Sequence, residues 1–389
     1  MKRLFTGTLL AVLMFFPVSA QESESNAAGN LLKKLQEQNL VIGGYGQIDY
    51  NQPIDADIRQ NGKLDVHRLI MLFGYSFSPI TSMITEIEYE HVKEVYIEQA
   101  FIEHRLSPSI NLVGGLVLVP MGIINEFHEP TTYNGVERPT IDSKVVPTTW
   151  REIGAGFTGN LSGVPINYQV YLMNGFNSYD GTGQLGGSSG IRGGRQKGAS
   201  SFISTPNLSA KINYFGLPGL QVGVSVYSGK TQSTLFDGLD KSDNIQKSMA
   251  DSSQVGINMI GLDYRFNRGN FHTRGQFIYN SISNTKEYNE FTGRDLGEAT
   301  YGWYLEGAYD FKLNNNQKIT PFVRFENYDL HHKTSGITPN DAYNVREFFA
   351  GLGYTLAPGV VWKADMQWSR PDSQDSANKQ FNMGIGFWF

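Results

Sequence analysis

The stretch Glu126-Phe127-His128-Glu129 sets one imidazole among two carboxylates, donor types that could hold a cation. Its spacing fits no specific metal motif, so we read a charged loop and expect no bound metal. His331-His332 lies in another polar stretch and reads as a solvated pair. Two glycine-rich runs imitate phosphate cradles by letters alone. GTGQLG at 181–186 would need a buried strand before it and a helix after it, and GGRQKG lacks the Gly-Lys-Ser/Thr ending. Neither context is present, and 181–186 reads as a flexible surface loop. No local grouping of Ser with His and a carboxylate marks a nucleophile and its base, so we expect no enzyme and no cofactor.

Composition indicates the elements that must carry these residues. The 389 residues include 43 glycines, 24 Phe, 20 Tyr and no Cys, with a formal net charge of -5. Many aromatics thus coexist with few continuous apolar runs, a mixture unlike a disordered chain or a compact soluble enzyme. Lys2 and Arg3 precede an apolar segment from Leu9 to Val18, and Val18-Ser19-Ala20 matches a small-residue cleavage rule, so residues 1–20 read as a secretory signal peptide. Removing those two cations deepens the acidic excess, which argues against nucleic acid as a partner. No later segment is a continuous apolar run long enough to cross a bilayer as a helix. In hydrocarbon every backbone amide needs a partner, which leaves a closed sheet as the other way across.

From Leu40 onward, alternating segments recur at 40–50, 64–77, 81–90, 95–106, 110–119, 150–160, 164–174, 207–214, 220–229, 254–267, 270–281, 298–311, 318–328, 344–355, 360–370 and 378–389, sixteen in all. Short turns such as SPI, SPS and APG alternate with longer polar connections, as expected of an even barrel with one short-turn rim and one long-loop rim. Each segment divides its residues by face. Tyr301, Trp303, Leu305, Tyr309 and Phe311 fall on one side of 298–311, and Tyr304, Glu306, Ala308 and Asp310 on the other. In the last segment Phe381, Met383, Ile385, Phe387 and Phe389 make one apolar row, so Phe389 must sit where it can be buried. Such a row ending on an aromatic resembles the C-terminal assembly signal of Gram-negative outer-membrane proteins. Residues 21–39 read as a periplasmic segment with a short helix carrying Leu31, Leu32 and Leu35, acting as a tail or partial plug; residues 40–389 read as the barrel.

The connection at 120–149 is the longest with substantial apolar content, including Met121, Ile123, Ile124, Val145 and Val146, which favours an ordered loop. As the third long loop of a barrel wide enough for water it is expected to fold inward, with Glu126, His128, Glu129, Glu137, Arg138 and Asp142 lining a constriction. On the wall, Glu86, Glu88, Glu90, Glu103 and Glu326 face Arg105, Arg265, Arg274 and Arg324. Mixed signs predict weak ion selectivity and a transverse field that orients dipolar solutes.

The run EIEYEHVKEVYIEQAFIEHRL, followed by GLVLVPMGIINEFHEPTTYNGVERP and VVPTTWREIGAGF, resembles the phosphate-selective porin O and P family in the form common in Bacteroidetes. The resemblance implies a sixteen-stranded outer-membrane porin, usually trimeric, with an inward third loop. The expected partners are then outer-membrane lipid and lipopolysaccharide, other copies of the chain in a homotrimer, and small hydrophilic solutes or ions that diffuse through. The alternative is a structural or docking barrel subunit of an envelope complex with an occluded pore.

Overall fold

A computed structural model describes residues 26–389, apart from Ala56 and Asn315. The signal peptide expected over 1–20 lies outside the described residues. Among the described residues, sixteen antiparallel strands form one sheet: β1 (Leu40–Ile54), β2 (Lys63–Ser78), β3 (Thr81–Glu90), β4 (Glu94–Ser107), β5 (Ile110–Leu118), β6 (Arg151–Asn160), β7 (Ile166–Met173), β8 (Asn207–Leu217), β9 (Leu220–Lys230), β10 (Gly256–Arg268), β11 (Phe271–Ser283), β12 (Ala299–Tyr309), β13 (Lys318–Lys333), β14 (Asn344–Ala357), β15 (Val360–Pro371) and β16 (Asn378–Trp388). Phe311–Lys312 continues β12 along β13. Each strand pairs with its neighbour in sequence, and β1 pairs with both β2 and β16, so the sheet closes and these strands leave no free edge.

The seam closes on the last residue. Gly44 and Phe389 exchange backbone hydrogen bonds of 3.2 and 2.9 Å. A Cβ on Gly44 would lie 2.6 Å from the Ile70 carbonyl oxygen and 2.7 Å from the Phe389 ring, so this crossing admits a glycine and little else. Phe389 is 63% exposed, on the outside of the wall. Its apolar surroundings must come from beyond the chain.

Burial is inverted relative to a soluble sandwich. Leu305 and Val323 are each 52% exposed, whereas their strand neighbours Glu306 and Arg324 are 2% and 1% exposed. A continuous apolar exterior of this kind marks a surface that meets lipid. Among the described residues no helix is long and apolar enough to cross a membrane.

Helix α1 (Ala27–Lys34) lies against the inside of β1, β2 and β3. Asn26 caps it by accepting from Gly29 N at 3.0 Å, and Lys33 and Lys34 in its last turn complement the helix dipole. Eight residues are marginal as an isolated helix. Packing supplies the rest: Ala27, Ala28, Leu31 and Leu35 are buried, with Leu31 over Gly43 and Leu35 over Gly74.

The glycine-rich connection after β7 corrects one expectation. Leu185 and Ile191 are buried, and a parallel bridge joins Asn177–Tyr179 to Gln232–Ser233, so this loop is packed rather than a loose surface segment. Isolated apolar residues within a Gly/Ser-rich run gave no period by which to see this. His331 is likewise not solvated. It belongs to β13, is 6% exposed, and its ring contacts the Asp295 carbonyl at 2.6 Å and Asn340 N at 3.1 Å.

Candidate channel lumen

The segment 119–150, between β5 and β6, crosses the space enclosed by the wall. Its root is held by Asn125, whose amide donates to the carbonyls of Val119 (2.7 Å) and Trp150 (2.9 Å) and accepts from Trp150 N (2.7 Å). From there the backbone is held by strands all around the barrel. Lys211 on β8 donates to the Gly122 carbonyl at 2.6 Å, and Gln276 on β11 accepts from Ile123 N at 2.7 Å. Arg274 on β11 donates to the Thr132 carbonyl (2.9 Å), and Lys363 on β15 to that of Gly135 (2.9 Å). Val136 N donates to Asp365 on β15 (2.7 Å), and Ile141 N to Glu326 on β13 (3.2 Å). A loop backbone in a low-dielectric interior must find such partners, and here wall side chains provide them.

The six loop residues expected at a constriction are distributed along the wall rather than arranged in one ring. Glu126 accepts from Lys211 (2.8 Å) and Gln169 (2.5 Å). His128 faces Glu98 at 3.4 Å and Glu86 at 3.9 Å, and Glu129 accepts from Ala27 N at 2.8 Å. Glu137 accepts from Asn51 at 3.1 Å beside Asp49 and His67. Arg138 is half-buried and reaches the His128 carbonyl at 3.5 Å, while Asp142 accepts from Gln276 at 2.9 Å.

Charge follows burial in this loop. Burial alone would push the His128 imidazole down, but Glu98 and Glu86 reverse that and hold it well above its ordinary value. Burial raises Asp142 to about 7, against the lowering effect of its Gln276 hydrogen bond. In the connection after β7, burial and the neighbouring guanidinium groups of Arg192 and Arg151 lower Arg195 to about 9.

Among the wall residues, Glu86 and Glu88 are buried beside the loop, and Arg68 lies 4.0 Å from Glu88. Arg274, Arg324, Glu306 and Glu326 make one network, with ion pairs of 2.7 Å (Arg274–Glu306), 3.2 Å (Arg324–Glu306) and 2.7 Å (Arg324–Glu326). Arg265 lies over the Phe127 ring, 4.0 Å from its centroid. Glu103 and Glu90 are half-buried, and Arg105 is exposed near the short-turn rim.

Sequence reasoning missed Glu98. A bulge between β3 and β4 pairs Glu86 with Gln99 but Ile87 with Ile97, so Glu98 and Gln99 both turn inward and are buried. Strict alternation assigns such neighbours to opposite faces. No signal in the sequence marks the bulge.

Two cavities open toward the short-turn rim. One, of about 550 Å³, is lined by Arg265, Arg274, Lys318, Glu306 and Asp310 with Thr132 and Tyr133 of the loop. The other, of about 810 Å³, is lined by α1, Glu103, Glu126, Gln169, Tyr171 and Asn213. Phe127 borders both. Cations outnumber carboxylates in the first, whereas in the second Lys33 faces Glu37, Glu103 and Glu126. Toward the long-loop rim the interior is packed instead: Trp150 lies 4.7 Å from both Phe176 and Tyr227, and Ile141, Val145 and Val146 join the same buried apolar cluster as Leu185, Ile191, Tyr288 and Leu330.

The fold is a closed sixteen-strand antiparallel barrel of the kind seen in solved outer-membrane porins. The outer membrane channel DcaP of Acinetobacter baumannii superposes with a TM-score of 0.60 at 12% identity, over 90% of this chain and 97% of that one. The anion-selective porin from Comamonas acidovorans gives 0.56 at 11% identity, over 90% and 99%. OmpF of Salmonella typhi, in complex with daunomycin, gives 0.54 at 10% identity, over 90% and 98%. An uncharacterized protein of Aquifex aeolicus (strain VF5) is 29% identical over 373 residues, covering 90% of this chain and 80% of that one. No protein-family model matches the chain.

Proposed function

We propose that this chain is an outer-membrane channel for passive diffusion of small hydrophilic solutes or ions, with the 120–149 loop controlling access. The observation that carries this reading is the pair of charged cavities enclosed by a wall whose outer face is apolar. Weak contacts with paired charges let solutes enter and leave, and no nucleophile or base is needed for that work. In this reading the chain is not an enzyme, it sits in outer-membrane lipid and lipopolysaccharide, and it assembles as a homotrimer. The resemblance to the phosphate-selective porin O and P family supports the same assignment. The assignment is to small hydrophilic solutes or ions in general, since cations predominate in the smaller cavity whereas Glu86, Glu88, Glu98 and Glu129 concentrate acid beside the loop.

One observation favours a second reading. The apolar packing around Trp150, Val146 and Tyr288 closes the long-loop half in this conformation, as expected of an occluded structural or docking barrel. Conductance of the purified protein in planar bilayers separates the two. Stepwise currents, larger after deletion of residues 126–138, support the channel with this loop as its constriction. A silent, correctly inserted barrel supports the docking subunit, and unchanged conductance in a folded deletion variant places the constriction elsewhere.

A further inference from the structure

Three groups converge where the crossing loop meets β3 and β4. Glu86 and Glu98 are 0% exposed and His128 is 2% exposed, and one ligand atom from each lies within 4.8 Å of the others. They come from the neighbouring strands β3 and β4 and from the crossing loop. The bulge that turns Glu98 inward is what completes the set.

Each group is oriented by a second contact. The His128 ring presents Nδ1 to the Asn125 carbonyl at 3.2 Å, which directs Nε2 toward the carboxylates. Glu86 accepts from the Tyr45 hydroxyl at 2.6 Å on one oxygen and from Gln99 at 2.7 Å on the other. A backbone carbonyl on the far ring nitrogen and hydrogen-bonded carboxylates are the outer-shell supports that metal ligands have.

The cluster is also incompletely satisfied. His128 Nε2 and Glu98 Oε1 are buried without a hydrogen-bond partner among the described residues. Buried polar atoms are rarely left so, and an ion is one standard reason. Nε2 lies 3.4 Å from Glu98 Oε2 and 3.9 Å from Glu86 Oε1. Ligands bound at about 2.0–2.2 Å around a tetrahedral cation stand roughly 3.3–3.5 Å apart, so small side-chain shifts suffice.

We propose that Glu86, Glu98 and His128 form a binding site for a divalent first-row transition cation that fastens the crossing loop to the wall. One imidazole with two carboxylates suits zinc, iron or cobalt better than calcium or magnesium. The cation replaces the proton on Nε2, and a water completes its coordination. Gln99 both donates to Glu86 and lines the larger cavity, so the site lies one side chain behind a route in from the short-turn rim.

The second carboxylate–histidine grouping, Asp49, His67 and Glu137, differs in being half open and already satisfied, with His67 Nδ1 on Asp49 at 3.0 Å. It serves as the control.

The test uses full-length, tag-free protein in detergent, stripped with a chelator and titrated separately with zinc, cobalt, calcium and magnesium. One equivalent of zinc taken up, visible cobalt bands of a nitrogen and oxygen ligand field, and a raised unfolding temperature are expected. H128N and E98Q lose this uptake while H67N keeps it, with strand content checked by circular dichroism. Absence of stoichiometric zinc or cobalt uptake by the wild type overturns the proposal, as does uptake unchanged in both E98Q and H128N. Binding of calcium or magnesium alone also overturns it, because it removes the imidazole from the site. Should H128N not fold, E98Q and the wild-type titration decide.

Discussion

Ala27 N, at the first turn of α1, donates to Glu129 Oε1 at 2.8 Å, so the helix that enters the barrel and the loop that crosses it hold each other. Neither partner explains its position alone. The helix is too short to be stable in isolation, and Glu129 is buried, with its other oxygen unpartnered among the described residues. Its carboxyl oxygen satisfies one of the four free N–H groups at the helix start, where the positive end of the dipole favours an acceptor.

Removing that carboxylate therefore loosens the N-terminal segment. The loss is about 1–2 kcal/mol, the size of a capping interaction. E129A is expected to be cut faster than the wild type by protease within residues 26–37 in the folded, detergent-solubilised protein, with E129Q intermediate. Equal cleavage of E129A and wild type would show that packing of Leu31 and Leu35 alone retains the helix.

Asp142 supplies a pH dependence. Burial raises its pKa to about 7, above the ordinary aspartate value, so the folded loop favours the neutral carboxyl. That contribution to stability is complete below about pH 4 and is lost as pH rises through the folded value. Above neutrality the ionised group keeps its Gln276 hydrogen bond on one oxygen, but the other is buried without a partner among the described residues. Channel noise or loop opening in bilayers should rise from about pH 4 to about pH 7 in the wild type, level off above that, and stay flat in D142N. The same rise in D142N would assign the titration to another group.

Much of the fold was legible because lipid and enclosed water impose a two-residue period on every strand. All sixteen segments read from alternation correspond to barrel strands, with ends shifted by a few residues, as at β1, which runs on to Ile54. The interior was less legible. Tyr133 OH on Gln47 (2.8 Å) and Val136 N on Asp365 (2.7 Å) are long-range hydrogen bonds that no local pattern announces. Glu98 was hidden by a bulge, and the buried Leu185 and Ile191 by the glycines around them. His331 looked solvated because no local pattern announces its contacts, with Asp295 of a preceding connection and with Asn340 where the following loop turns back.

The account rests on neighbouring residues of one strand meeting hydrocarbon and enclosed water in turn. Ile212 on β8 is 53% exposed on the outer face, and Asn213 lines the larger cavity. Because the chain contains no cysteine, the variants I212C and N213C each carry a single thiol. In liposomes, a fluorophore attached to the I212C variant should be quenched by spin-labelled lipid, and the thiol of the N213C variant should react with a small charged, water-soluble reagent without such quenching. The opposite pattern, or identical behaviour at the two positions, would contradict the barrel's division of lipid from lumen.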